Sequence, residues 1–200
     1  MGRTLDKRPT ADEALQILLE GNKRFITGKL EHPNHCRESR QLSIAQQVPI
    51  ATVLTCADAR VPPVDIFDQG IGDIFVVRVA GNIIGFHTLG SIEYAVHHLG
   101  TPLVIVMGHS CCGAVAAVAS EVKLDGHMAS FTAPIQTAIK RAKDNDLQGN
   151  LNDNATKELA KMMATQIATS EPIIGDYVKD DKVKVVPAYY DFKTGEVTLL

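Results

Sequence analysis

Three residues have side chains that suit a transition metal and positions that let them meet: Cys56, His109 and Cys112. Cys56 directly follows the apolar run 50–55, His109 stands two residues after the run 102–107, and Cys112 lies three residues beyond His109. Two thiolates and one imidazole form a zinc ligand set. A structural zinc takes four protein ligands, whereas three leave a position for water, which is the catalytic count. Spacing alone does not choose between Cys112 and its neighbour Cys111. Nor does it exclude plain burial, because unpaired cysteine is among the most buried residue types. Asp58 and Arg60 stand just after Cys56. They read either as an ordinary surface ion pair or as a carboxylate held by a two-point guanidinium fork.

These residues need a scaffold that brings strand ends together. Runs 50–55, 74–79 and 102–107 are short, apolar and rich in β-branched residues, as buried strands are. Helical patterns separate or follow them at 89–99, 112–120, 131–143 and 155–179. Strand alternating with helix means a parallel sheet, and the carboxyl ends of its strands open onto a shared crevice. Ahead of the sheet, Thr10 and Glu13 form a capping-box pattern that opens an amphipathic helix over 11–27. An irregular stretch and a short helix near 39–47 follow, and both leading helices are expected outside the main sheet. Runs 184–191 and 196–199 flank Lys193-Thr194-Gly195 as a terminal hairpin. The expected class is α/β: a three-layer single domain with a central, mostly parallel sheet flanked by helices. Residues 1–48 form its N-terminal helical arm and 49–200 its core.

The 200 residues carry a net charge of −3 with no block of like charge, which gives a phosphate backbone no basic footprint. No run approaches the length of a membrane span. Nucleic acid and membrane are therefore not expected partners. Four cysteines are too few and too irregularly spaced for a disulfide framework. The first residues lack the apolar core of a signal peptide, so the cytoplasm is the expected compartment.

Four strings have a collective likeness: Cys56-Ala-Asp58-Ala-Arg60-Val-Pro-Pro, Phe75-Val-Val-Arg-Val-Ala-Gly-Asn82, Ile92-Glu-Tyr94 and Gly108-His-Ser-Cys-Cys-Gly113. Together they closely resemble the β-class carbonic anhydrases, whose signature pairs C-x-D-x-R after one strand with H-x-x-C after a later one. The similarity runs from about Gln47 to Gly113. It implies one zinc ion per chain on Cys56, His109 and Cys112, and so selects Cys112 over Cys111. It also implies reversible hydration of carbon dioxide to bicarbonate and a proton by zinc-bound hydroxide.

In that family the Asp and Arg form a switch. Asp58 would pair with Arg60 in the active state and bind zinc in the closed one. Gln47, Phe75 and Tyr94 match the substrate pocket of plant-like members, in which such a Gln comes from the partner subunit. The resemblance further implies a homodimer, often paired into tetramers, with the N-terminal helix reaching across the partner. Two thiolates cancel the metal's formal charge, so a bound water should be less acidic than at a site of three neutral histidines, and activity should climb above pH 7. A hydrolase of carbonyl sulfide or carbon disulfide on the same scaffold is the nearest alternative. A non-catalytic zinc protein, permanently closed by Asp58, is a further one. Family members with a separate bicarbonate pocket use a Trp there; this chain has none, and the simpler open type is expected. His97 and His98 fall on a helix expected away from the pocket.

Overall fold

A computed structural model describes residues 8–145 and 148–200. Four strands run parallel: β1 (Ala51–Thr55), β2 (Ile74–Arg78), β3 (Leu103–His109) and β4 (Lys184–Tyr190). A fifth, β5 (Val197–Leu199), pairs antiparallel with β4, and the sheet order is β2-β1-β3-β4-β5. The helices are α1 (Ala11–Thr27), α2 (Arg37–Leu42), α3 (Pro63–Ile66), α4 (Phe86–His97), α5 (Gly113–Ala119), α6 (Thr132–Asp144), α7 (Leu151–Ala168) and α8 (Ile173–Lys179). Short 3-10 turns occupy Ala80–Asn82 and Gly126–Phe131.

The sheet divides two cores, which makes the molecule three-layered. All seven residues of β3 are buried, and alternate ones face opposite ways. Val104 and Val106 join Leu54 beneath α4 to α8 on one face. Leu103, Ile105 and Met107 join Val53, Phe67 and the α1 residues Ala14, Leu15 and Leu18 on the other. Burial on both faces explains why these strands read as unbroken apolar runs. α1 begins at the expected capping box, with Thr10 and Glu13 each bonding the other's backbone. Its apolar stripe packs against its own sheet. Asn22 fastens it further, donating to the Ile66 and Gly195 carbonyls and accepting from the Val197 N–H.

Three local expectations change. The helix near 39–47 is shorter and earlier, because Cys36 caps it and it ends at Leu42. The stretch 155–179 is two helices, α7 starting earlier under an Asn150 cap and α8 following Pro172, which cannot continue a helical ladder. β3 runs on through His109, so that residue ends the strand instead of following it.

Connectivity locates the crevice. From β1 the chain goes to β2 on one side, and from β3 to β4 on the other. The carboxyl ends of β1 and β3 are therefore the topological switch point of the sheet, where open α/β folds place their sites. Register makes the juxtaposition close, since Thr55 pairs with Met107 and the next residues on are Cys56 and Gly108. Gly108 is needed there because a Cβ would lie 2.7 Å from Thr156 Cγ2 of α7.

Candidate metal centre

Cys56 leaves the end of β1, His109 ends β3, and Cys112 is the residue before the first turn of α5. Each is buried, and their donor atoms all lie within 4.8 Å of one another. Among the described residues no other cluster of three or more His, Cys, Asp or Glu side chains brings its donor atoms together in this way. His109 Nδ1 lies 2.9 Å from the Ser110 carbonyl, a contact that places the proton on Nδ1 and leaves Nε2 as the lone-pair nitrogen. Nε2 is buried without a hydrogen-bond partner. A buried acceptor left unmatched beside two thiols is what a metal ligand looks like before its ion, so the donor set fits zinc.

The two thiols divide one proton between them. Cys56 is pulled down to about 4, chiefly by the hydrogen bond from Cys112, against the cost of burial and with help from the Gly81 N–H. Cys112 is pushed up because it is the donor in that bond and is itself buried. Backbone N–H groups of Val115 and Ala114 act the other way on its sulfur and favour the thiolate. A cation would draw that shared proton away and leave both sulfurs as thiolates.

Asp58 lies in the turn after Cys56, outside the ligand cluster. Arg60 Nε donates to its Oδ1 at 3.0 Å, Arg60 Nη2 to Oδ2 at 2.8 Å, and the Arg60 N–H to Oδ1 at 2.9 Å. That fork holds the carboxyl well below the usual carboxylate range. Only 16% of the Asp58 side chain is exposed, against 59% of Arg60, so the guanidinium shields the carboxylate from solvent.

Two residues that the sequence did not single out complete this surround. The Phe192 ring lies 5.1 Å from the His109 ring and 4.3 Å beneath the Arg60 guanidinium, touching a ligand and the Asp58 partner at once. Its N–H donates to Ser110 Oγ at 2.8 Å. Arg78 of β2 donates to the Cys56 carbonyl at 3.0 Å and to the Asp58 carbonyl. Phe192 lies 80 residues beyond Cys112 in a loop after β4 (192 − 112), and nothing in its local sequence marks it. Arg78 could have been found as a cation inside an otherwise apolar strand.

Gln47, Phe75 and Tyr94 sit elsewhere. Gln47 and Tyr94 line one open groove of about 530 Å³ with Arg8, Ser43, Gln46 and His98. Phe75 and Tyr94 have ring centroids 6.2 Å apart. Phe75 pairs with Thr52, four residues before Cys56, which puts it about 13 Å from the ligand cluster along the strand direction. A single chain therefore keeps these three away from its own ligands. His98, at the end of the helix that carries Tyr94, shares this groove, with its ring 5.3 Å from that of Tyr94.

Known proteins resemble this chain in sequence and fold. The carbonic anhydrase family model matches residues 51–197. Carbonic anhydrase 2 of Mycobacterium tuberculosis is 36% identical over 196 residues, covering 93% of this chain and 91% of the relative. The β-carbonic anhydrase CcaA superposes with a TM-score of 0.73 at 27% identity, over 92% of this chain and 86% of the other. A structure of two tetrameric β-carbonic anhydrases from Sordaria macrospora gives a TM-score of 0.74 at 22% identity, over 93% of this chain and 96% of that one.

Proposed function

The chain belongs to the β-class carbonic anhydrase family, and from that premise we propose that Cys56, His109 and Cys112 hold one zinc ion per chain for the reversible hydration of carbon dioxide to bicarbonate and a proton. The observation that carries this reading is the buried set of three mutually close donors at the switch point of the sheet. Bound there, zinc supplies a Lewis acid with one coordination position beyond its three protein ligands, which makes water nucleophilic near neutral pH.

The remaining work falls to the protein. The Nδ1 contact with Ser110 fixes the His109 ring so that Nε2 faces the metal side, while the Phe192 ring backs it. Asp58, ionised by the Arg60 fork, accepts a hydrogen bond from the attacking water and stays off the metal. Arg60 is steered in turn by Phe192, since a guanidinium over an aromatic face is attracted by the ring.

Gln47, Phe75 and Tyr94 serve the metal centre of a second copy, with the Gln47 amide donating to a substrate oxygen and the two rings forming an apolar wall. Exposed apolar side chains on the same flank support this. Val76 lies on the edge strand β2, Phe86 opens α4 with 97% of its surface exposed, and Tyr94 and Ile71 are also exposed. An open strand edge beside such a patch calls for a covering partner. Relatives from Sordaria macrospora are described as tetrameric, and a homodimer or dimer of dimers is the assembly proposed here. No helix among the described residues is long and apolar enough to cross a membrane. Four unpaired cysteines suit the reducing cytoplasm.

Zinc analysis of the purified chain, followed by parallel assays of carbon dioxide hydration and carbonyl sulfide hydrolysis, tests the reading. One zinc per chain with carbon dioxide as the faster substrate is expected. Faster turnover of carbonyl sulfide would overturn the substrate, and absence of zinc would overturn the centre.

A further inference from the structure

Cys56 is gripped from one side by the segment that leaves β2. The Ala57 N–H donates to the Val79 carbonyl at 3.3 Å, Arg78 Nε to the Cys56 carbonyl at 3.0 Å, and the Gly81 N–H to the Cys56 sulfur at 3.4 Å. The last contact depends on an uncommon backbone. Gly81 adopts φ 70 and ψ 17 inside the Ala80–Asn82 turn, and Asn82 follows at φ 44. Two successive left-handed residues are costly for most side chains. Glycine tolerates that region freely, and asparagine better than most others.

Packing fixes the turn further. A Cβ on Gly81 would meet Ile135 Cδ1 at 3.3 Å and the Ala114 Cβ at 3.5 Å. Asn82 is fully buried, and its N–H closes the turn on the Val79 carbonyl at 2.9 Å. Its side-chain amide has no hydrogen-bond partner, so the residue's place is explained by its backbone.

We propose that the Arg78–Asn82 segment is a positioning element for the metal, in which the Gly81 N–H orients the Cys56 sulfur and tempers its charge. The inference rests on Cys56 being a ligand. A hydrogen bond from an amide to a ligating thiolate fixes the direction of its lone pairs and takes up part of its negative charge. Neighbours that orient ligands in this way tune affinity without touching the ion.

The direct test is nuclear magnetic resonance of the intact protein loaded with ¹¹³Cd, which reports scalar coupling from the metal through sulfur and across an N–H···S bond. Coupling from cadmium to the Gly81 amide proton is expected, beside coupling to the β-protons of Cys56 and Cys112. Coupling to those β-protons with none to Gly81 would overturn the positioning role and leave the ligand set intact. Failure of cadmium to couple to Cys56 would overturn the ligand assignment, and this inference with it.

A second test uses substitution. Gly81→Ala is expected to weaken metal binding by roughly tenfold and to shift the thiolate-to-metal absorption of the Co²⁺-loaded protein. Gly72→Ala is the control, because Gly72 has φ 85 with open space around its Cβ position and so meets backbone strain alone. Equal changes in both variants, or none in Gly81→Ala, would contradict the proposal.

Discussion

Each group in the centre is set by something it touches. His109 presents Nε2 because Nδ1 is committed to Ser110, and Asp58 is ionised because Arg60 occupies both its oxygens. Phe192 joins the two halves, so its removal should disturb both. In Phe192→Ala the Arg60 guanidinium loses an aromatic seat worth about 0.5–1 kcal/mol, which lowers kcat by about two- to fivefold while zinc is retained. Stopped-flow assay and metal analysis of that variant check this, with Phe192→Tyr expected to restore the rate. Cysteine and histidine at strand ends marked the candidate ligands in the sequence, family likeness selected Cys112 over Cys111, and the fold brings the three donors together. Phe192 was not legible, because an aromatic residue in a loop acquires its role only when β4 returns beside β3. Gln47, Phe75 and Tyr94 were legible as a set only through family likeness, since periodicity marks such residues as loop or core.

At the scale of elements, patterning carried the sheet and most helices, and failures came where a single residue decides. Pro172 splits the last long helix, and the His109 end of β3 was hidden by Gly108, which reads as a break although it permits the close approach of α7. The link between α1 and the β1–β2 connection rests on a buried charge that no pattern announces. Burial alone would raise the pKa of Asp68, but Arg24 at 2.6 Å and the N–H groups of Glu31 and His32 outweigh it and leave the group lowered. A depressed carboxyl stabilises the fold above its unfolded value, about pH 4, and that contribution disappears as pH falls through the lower folded value. Asp68→Asn should therefore cost about 1–3 kcal/mol at pH 7, discounted for the partly exposed Arg24, and the deficit should shrink below pH 4. Asparagine tolerates the left-handed backbone at this position (φ 45), so the turn is kept; its NH2 replaces one of two acceptor oxygens, and the pH-dependent part of the deficit reports the charge. Urea unfolding of both metal-free proteins from pH 7 to pH 2.5 measures it, and a deficit that stays constant with pH would refute the assignment.

For the whole molecule, Phe75 and Tyr94 lie apart from the metal-binding cluster of their own chain, and the assembly proposed above makes completeness a property of two chains. Mixing Cys112→Ala with Gln47→Ala after dissociation and reassembly should recover activity that neither variant has alone. Random pairing of isologous subunits gives heterodimers with one intact site of two, or about a quarter of wild-type activity. No recovery despite proven subunit exchange would mean that each chain works alone. The central claim is narrower: a zinc centre of two thiolates and one imidazole, with Asp58 held off the metal by Arg60, hydrates carbon dioxide. Stopped-flow hydration by zinc-quantified protein at pH 7 and pH 9, beside Cys112→Ala, tests it most directly. Activity that rises with pH and vanishes in the variant is the predicted result. One zinc per chain with no hydration at either pH would contradict it.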